Sequence, residues 1–441
     1  MAGSEHQTLG LYIGQQHVAT VHFEYTRIHR FEYTPQWQQE GFALSPHLPL
    51  HAPITEKAAN LFLRNMFPEG NVFDKALQYL AISRDNHFAI LGKLGLEAPG
   101  ALALAQSIEQ LLLPAQFEAL DLDELAKRLN ENDRNLAVWN GKVRLSAAGV
   151  QDKLNVMQHP THGLGFADGA WASTHLLKFE SKNAPCLVVN ELATLTLAQA
   201  AGLNVNKVQT IQIGQHSALL VERFDRRFNH NHTQVQRRHT IDGCQLLNRD
   251  AMQKYERPLA HGKHTRDIRD GVSLPEVFST QQWAKQPATH TLQLLDWTIF
   301  NLLTGNADCH AKNLSFFVDA QGIELSPFYD LVNVMLFDFA HDWAMGLGDE
   351  FLDDGALPST YDLACFAHAC GLQGGMVSKR FEKQIEALHT QAEGLLLNLP
   401  CHNQQEEQHL QQYLQVLHTR LAHFEKHSRA IQRAIKKLII Q

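Results

Sequence analysis

GNADCHAKNLSFFV, residues 305–318, is the stretch on which the reading of this chain turns. Ahead of it, Leu292 to Leu303 is mostly apolar, with Leu294, Trp297, Ile299, Phe300 and Leu303 spaced for a largely buried helix. Behind its polar middle, Leu314 to Val318 reads as a short buried strand rich in aromatic and branched residues. Asp308, His310, Lys312 and Asn313 thus lie between two apolar elements. Burying such groups unpaired costs on the order of several kcal/mol, so each requires a hydrogen-bonding partner or a ligand.

Phosphoryl transfer supplies one reason for them. An Asp followed five residues later by an Asn matches kinase catalytic-loop logic: the Asp orients or accepts the proton of the attacking hydroxyl, and the Asn binds magnesium. A second metal-binding Asp is then expected after the next strand, and Asp330 in Leu325-Ser-Pro-Phe-Tyr-Asp330 is placed for it. Taken alone, Asp308-x4-Asn313 fits a polar turn capped by Asp and Asn better, since such turns are common. Asp330, on a second hydrophobic-strand exit, tips the balance toward the kinase.

Composition bounds the answer. A chain of 441 residues exceeds the usual single-domain size and predicts two or three packed units. Hydrophobic content of 44% with 19% charged residues describes a soluble globular protein with ample core. A formal charge of −8 argues against a protein that coats nucleic acid, local basic patches aside. The N-terminus, MAGSEHQTLG, lacks the regions of a secretory signal, and no apolar run reaches bilayer-spanning length, so a cytoplasmic location is expected. The cysteines at 186, 244, 309, 365, 370 and 401 form no CxxC pair and fit reduced thiols. Cys365, His368 and Cys370 fit one helix face better than a zinc site.

Taken in order, Leu11 to Phe23 predicts a β-hairpin about Gly14-Gln15, and Arg27 to Tyr33 a third strand. The proline-rich stretch Leu44 to Leu50 is irregular. Helices are predicted over Thr55 to Met66, Val72 to Ile82 and Ile90 to Leu96. These close a small α/β unit near Leu104. Residues 105–140 read as a linker or connecting helix with Leu120, Leu122, Leu125 and Leu129 on its apolar side. Lys142 to Leu145 and Leu154 to Met157 suit two strands joined by Ser146-Ala-Ala-Gly149-Val-Gln151-Asp-Lys153. That loop is either an ordinary hairpin turn or a cover laying backbone N–H groups and Lys153 over phosphates.

His175-Leu-Leu-Lys178-Phe is a strand with a lysine in its middle, either a surface residue or the lysine by which kinases hold phosphates. An amphipathic helix over Asn190 to Ala201 is ended by Gly202. Strands follow at Val208 to Ile213 and Ala218 to Val221, the latter running into Glu222-Arg-Phe224-Asp225, where a nucleotide hinge would fall. The charges at Arg223, Asp225, Arg226 and Arg227 otherwise suit a solvated strand end. His230 to His239 reads as a loop, a helix is expected from Asp242, and most of the remainder is helical in pattern. Glu406 to Ile440 predicts one domain-packing helix with Leu410, Leu414, Leu417, Leu421 and Phe424 on its inner face.

Collected in this order, the residues resemble the HipA family of bacterial serine/threonine kinases nearly end to end. The hairpin, Leu44-Ser-Pro-x-Leu-Pro-Leu50 and residues 71–100 are similar to the N-terminal subdomain of full-length members. Ser146-x-x-Gly149-x-Gln151-x-Lys153 resembles the phosphate-covering loop, and Asn190-Glu191, Gly202 to Val205 and Val221 to Arg227 resemble the core. Asp308-x-His310-Ala-Lys-Asn313 and Pro327-Phe-Tyr-Asp330 resemble the catalytic and metal-binding motifs.

That resemblance implies a protein-kinase-like, two-lobe α+β fold: a β-rich N-terminal lobe with a small N-terminal subdomain, and a helical C-terminal lobe. The implied divisions are 1–104 for the subdomain, 105–228 for the rest of the N-lobe and 229–441 for the C-lobe. By the same resemblance Asp308 is catalytic, and Asn313 and Asp330 bind Mg²⁺. Nucleotide contacts fall to Gly149, Val150, Gln151, Lys153, Lys178, Glu222, Phe224, Gln245 and His310, with ATP as the phosphoryl donor. Ser146 corresponds to a serine that members phosphorylate on themselves, ejecting a loop whose added charge is repelled from a phosphate-binding site.

Members commonly act as toxins held by a helix-turn-helix antitoxin of HipB type. DNA is engaged indirectly through the antitoxin, and known targets are aminoacyl-tRNA synthetases such as the glutamyl enzyme. Asp152 stands where members often carry Glu, and Phe337 to Asp349 lacks the lysine usual there. Two other functions fit the residues less closely: a nucleotide-binding corepressor of such an antitoxin without essential transfer, and a kinase of small alcohols.

Overall fold

Apolar residues at alternate positions, among them Leu9, Leu11, Val21, Phe23, Phe31 and Tyr33, are buried and fold the N-terminus into a sheet. Its strands are β1 (His6–Ile13), β2 (Gln16–Glu24), β3 (Arg27–Tyr33) and β4 (Leu102–Ala105), in the order β3-β2-β1-β4. Bulges at Leu11/Tyr12 and His22/Phe23 bend it. The computed structural model describes residues 6–131, 136–145, 152–181, 183–260, 264–338, 342–348, 351–352 and 355–438. Helices α1 (Pro35–Glu40), α2 (Glu56–Arg64), α3 (Gly70–Leu80) and α4 (His87–Leu94) follow the third strand, with Thr34, Thr55 and Asn86 as side-chain N-caps.

The chain divides into two compact units: Met1–Glu180 with Lys207–Ile241 and Phe316–Ile323, and Ser181–Asn206 with Asp242–Ser315 and Glu324–Gln441. In the first, β5 (Gln116–Ala119) precedes α5 (Leu122–Asn130) and the short pair β6 (Val138–Trp139) and β7 (Lys142–Val143). After these come β8 (Lys153–His159), β9 (Gly163–Asp168), β10 (His175–Phe179), β11 (Val208–Ile213) and β12 (His216–Glu222). A six-stranded sheet runs β11-β12-β10-β8-β9-β5. Leu125 and Leu129 of α5 join Trp139, Leu154, Phe166, Leu177 and Phe179 in its core. Leu122, expected on the apolar side, is 43% exposed: it is the first helical residue after the Asp121 cap, a turn short of the sheet.

Lys142–Val143 pairs with Val138–Trp139 and does not form a hairpin ladder with residues 154–157. The partners of β8 are β10 along 153–156 and β9 along 157–159, so only the bond from Asn155 N–H to Arg144 C=O, at 3.3 Å, joins the two segments. Residues 230–239, read as loop, contain β14 (Val235–Arg237), which pairs with β13 (Arg226–Phe228). A three-stranded sheet orders β15 (Thr240–Asp242), β16 (Ser315–Asp319) and β17 (Gly322–Leu325).

The second unit carries α6 (Leu187–Ala200), α7 (Gly243–Leu246), α8 (Leu274–Ser279), α9 (Pro287–Thr304), α10 (Thr360–Ala369), α11 (Gly374–Leu396), α12 (Gln404–Ser428) and α13 (Ile431–Leu438). Expected to be amphipathic, α6 is instead buried on nearly every face, including Asn190, Glu191 and Thr194. The stretch 406–440 is two helices rather than one. Hydroxyls of Thr360 and Ser378 take the carbonyls of His427 and Ser428, at 3.0 and 2.7 Å, and stop α12 there. Leu410, Leu414, Leu417, Leu421 and Phe424 are all buried, as their spacing predicts.

Burial makes the fold acid-sensitive. It holds His239, His290 and His409 each at a pKa of about 4, against an ordinary value of 6.5. Their neutral forms stabilise the fold above pH 6.5, and that stability is lost as pH falls from 6.5 toward 4. The loss comes to on the order of 1 kcal/mol per histidine at pH 5.5. Urea titrations across this window should show a falling midpoint that His239→Asn, keeping a donor to the Leu44 carbonyl, flattens.

Candidate active site

Gly305 caps α9 in the left-handed region at φ 80°, and the chain turns at once into the loop bearing Asp308. The Asp308 carbonyl accepts from the His310 N–H at 2.9 Å and from Asn313 Nδ2 at 3.0 Å. Those two bonds close the loop. Asn313 is buried, whereas Asp308 is exposed, and its Oδ1 accepts a bond from the Tyr255 hydroxyl at 2.7 Å. Lys312, the cation that needed an explanation, donates to Asp242 at 2.5 Å. Asp242 in turn caps α7, forming a capping box with Gln245, whose side chain accepts from the Asp242 N–H.

His310 is buried, and among the described residues its Nδ1 has no hydrogen-bond partner. Burial first, and then the Lys254 ammonium, push its pKa down to about 3 against the pull of Asp330. It is therefore a neutral imidazole at physiological pH, and its Nδ1 is an unmet polar atom among the described residues.

Asp330 sits at φ 56°, a left-handed conformation that Asp tolerates better than most side chains but that still has to be held. Ahead of it, the Tyr329 hydroxyl bonds the Lys312 carbonyl at 2.8 Å and the Ser315 hydroxyl at 2.7 Å, tying the Asp330 loop to the end of the Asp308 loop. Behind it, Asn190 of α6 grips Asn333: Oδ1 accepts from the Asn333 N–H at 2.8 Å and Nδ2 donates to the Asn333 carbonyl at 3.1 Å. Asn190→Ala leaves that buried backbone pair unmet. It should cost about 1–3 kcal/mol of stability and release Asp330, read as lower thermal stability with faster amide exchange at residues 331–334.

In the first unit, Lys153 and Lys178 are direct cross-strand partners on β8 and β10, 9% and 6% exposed. Like charges facing each other across a ladder repel, and a pair of this kind suits a polyanion. Glu222 ends β12, opposite His175, and Phe224 packs edge-on to Phe317 with ring centres 5.7 Å apart.

The charge run after Glu222 is a correction: it is not a solvated strand end. Arg223, Asp225 and Arg226 are all buried. Arg223 makes a two-point bond to Asp225, at 3.0 and 2.8 Å, while Arg226 reaches Glu97 at 2.9 Å and the Ala98 carbonyl at 2.8 Å. The Gly100 N–H completes the Asp225 shell at 2.7 Å. Gly100 is required there, because at φ 74° a Cβ would lie 2.8 Å from the Thr240 nitrogen. Burial would raise the Asp225 pKa, but Arg223 and Arg226 outweigh it and hold it down to about 2. Arg–carboxylate pairs one and two residues apart carry no periodicity, which is why the sequence conceals this cluster. Nor does any local pattern mark Tyr255 or Asn190 as a positioning residue. Ser146, Gly149, Val150 and Gln151 lie outside the described residues.

Residues 9–105 match the HipA N-terminal domain and residues 145–395 the HipA-like C-terminal domain. The chain is 36% identical over 403 residues to the serine/threonine-protein kinase toxin HipA of Shewanella oneidensis, covering 91% of this chain and 92% of that one. The chain belongs to the HipA family. A solved complex of Shewanella oneidensis HipA, HipB and operator DNA contains a chain that superposes at a TM-score of 0.86 with 34% identity, over 97% of this chain and 99% of that one. The putative kinase Y4mE of Sinorhizobium fredii is 32% identical over 330 residues, covering 72% of this chain and 75% of its own. The fold is thus that of a HipA kinase, sheet-rich toward the N-terminus and helical toward the C-terminus, and the chain is a homologue of a serine/threonine kinase toxin. Among the described residues no helix is long and apolar enough to cross a membrane. Nor could any cluster of three or more His, Cys, Asp or Glu among them hold a metal.

Proposed function

We propose that this protein is an ATP- and Mg²⁺-dependent serine/threonine protein kinase, with Asp308 receiving the proton of the attacking hydroxyl. The Asp308 loop carries the reading: its carboxylate is exposed, Asn313 is buried with its Nδ2 bonded to the Asp308 carbonyl, and among the described residues His310 Nδ1 is unmet. An amide oxygen and a carboxylate are the hard donors that Mg²⁺ takes alongside phosphate oxygens, so Asn313 and Asp330 fit the ion. When bound, it would neutralise charge developing on the phosphates. Lys153 and Lys178 hold phosphates, Glu222 and Phe224 meet the adenine, and His310 and Gln245 border the nucleotide together with the Gly149-Val150-Gln151 segment.

Lys178→Met should raise the KM for ATP about tenfold or more, the scale of one hydrogen bond to a charged group, in a transfer assay titrated with ATP.

The same proposal takes the protein as a cytoplasmic toxin that phosphorylates an aminoacyl-tRNA synthetase or another translation protein and inactivates itself at Ser146. It also takes the partner as a helix-turn-helix antitoxin of HipB type, as the HipB and operator DNA of the solved relative support. That complex equally favours a second reading, a corepressor whose transfer activity is dispensable. Labelled-ATP transfer by wild type and Asp308→Asn, with mass spectrometry of the Ser146 peptide, separates the two. Label on wild type alone supports the kinase. Binding of ATP without any label supports the corepressor.

A further inference from the structure

We infer that Tyr255 is a positioning residue for phosphoryl transfer, its hydroxyl holding Asp308 in the orientation that receives the substrate proton; the inference rests on the kinase reading above. The direct observation is the 2.7 Å bond from the Tyr255 hydroxyl to Asp308 Oδ1. Asp308 is exposed, and an exposed aspartate on a loop samples several rotamers. A fixed phenol donor selects among them at little entropic cost, because Tyr has only two side-chain torsions to order.

What makes the phenol fixed is the backbone around it. The Lys254 carbonyl accepts from the Ala311 N–H at 3.1 Å, the Glu256 N–H donates to the Ala344 carbonyl at 2.9 Å, and the Ala344 N–H donates to the Ala307 carbonyl at 2.9 Å. Tyr255 is therefore laced on both sides to the loop that carries Asp308, one residue before it and three after. Its ring meets His310 edge-on, at 5.0 Å between centres and 86° between planes. Glu256, next in the chain, is buried and accepts from the Gly346 N–H at 2.7 Å and from Arg269 Nε at 2.8 Å. Even the opposite segment is shaped to this one: a Cβ on Gly271 would lie 1.7 Å from the Tyr255 carbonyl oxygen. So much bonding around one half-exposed tyrosine is out of proportion to a surface side chain and matches the need to place a hydroxyl to within a few tenths of an ångström.

The geometry divides the carboxylate between two tasks. Oδ1 is assigned to Tyr255 and Oδ2 to the substrate hydroxyl, whose oxygen bonds the γ-phosphorus as the bond to ADP breaks and whose proton passes to Asp308. Since the phenol reaches neither nucleotide nor metal in this assignment, its loss should lower kcat and spare ATP binding.

The test compares the full chain as wild type, Tyr255→Phe, Asp308→Asn and the double variant. Tyr255→Phe, which keeps the ring and its contact with His310, should lower kcat about tenfold while the KM for ATP and the melting temperature stay within error. It should add nothing to Asp308→Asn, because the bond acts only through that carboxylate. An activity-independent arm places 3-fluorotyrosine at position 255: its ¹⁹F resonance should move in the Asp308→Asn background. An unchanged kcat in Tyr255→Phe beside an active wild type overturns the positioning role, as does a rise in KM alone or an unmoved fluorine resonance. Wild-type protein that transfers no phosphate overturns the kinase reading and, with it, the catalytic meaning of the bond.

Discussion

Asp308→Asn is expected to bind ATP at least as well as the wild type and to transfer its phosphate about 10²–10⁴-fold more slowly. The range is the usual contribution of one positioned general base. The substitution is isosteric: an asparagine oxygen still accepts from the Tyr255 hydroxyl, and the loop is closed through the backbone carbonyl of residue 308, which the change leaves intact. Because the side chain is exposed, stability should move by less than about 0.5 kcal/mol. What disappears is the acceptor for the hydroxyl proton. Calorimetric titration with ATP and single-turnover transfer, run on the same protein, separate these effects. Parallel loss of binding and rate would mean that Asp308 organises the site rather than serving the chemistry. An unchanged rate would remove Asp308 from the mechanism.

The second large effect is one of stability. Asp225→Asn, also isosteric, should lower the unfolding free energy by about 3–5 kcal/mol, the cost of breaking a buried ion pair by removing one partner. Arg226, with a side chain 0% exposed, would then face Arg223 and Arg237 with Glu97 as the remaining carboxylate of the cluster. Burial first, and then those two guanidinium groups, lower the Arg226 pKa to about 9, so it stays charged at neutral pH and cannot escape by losing its proton. The sign of the pH dependence follows from Asp225. Its folded pKa of about 2 lies below the ordinary 3.8, so its contribution is present above pH 3.8 and fades as pH falls through 2. Differential scanning calorimetry should find the variant's first transition roughly 5–10 °C lower at pH 7, with the gap narrowing in acid. Since Glu97 and Gly100 come from the region matching the HipA N-terminal domain, the same change should expose residues 97–105 to amide exchange.

Much of the fold was legible from residues alone. Apolar runs and the alternation of Arg27 to Tyr33 placed β2, β3 and β10 to β12 to within two residues at either end, while β1 starts five residues ahead of the expected Leu11. Helix patterns placed α2 and α3 to within two residues, whereas α9 starts five residues ahead of the expected Leu292 and the one helix expected over Glu406 to Ile440 is α12 and α13. Where every face is covered, the period vanishes: α6 reads as amphipathic but is buried nearly all round, and only packing reveals that its polar Asn190 faces the Asn333 backbone. Strand partners were less legible than strands. Residues 142–145 and 154–157 look like a hairpin, yet β8 is claimed by β9 and β10, a competition that involves residues far off in sequence.

For the candidate site, sequence alone supplied the candidates: Asp308 and Asn313 after a helix, Asp330 after a strand, Lys178 in the middle of a strand and Lys153 at the end of the loop before one. On the kinase proposal, residue type and spacing carry that information because phosphoryl transfer needs such groups in that order. Tertiary structure decided what surrounds them. It set Lys153 opposite Lys178, gave Lys312 to Asp242, turned a run of charges into a buried network around Glu97, and brought Tyr255, 53 residues away, to the Asp308 carboxylate. The physical reason is range. Periodicity and capping act within a turn or two of chain, whereas a hydrogen bond between distant segments has no local signature until the backbone brings its two ends together.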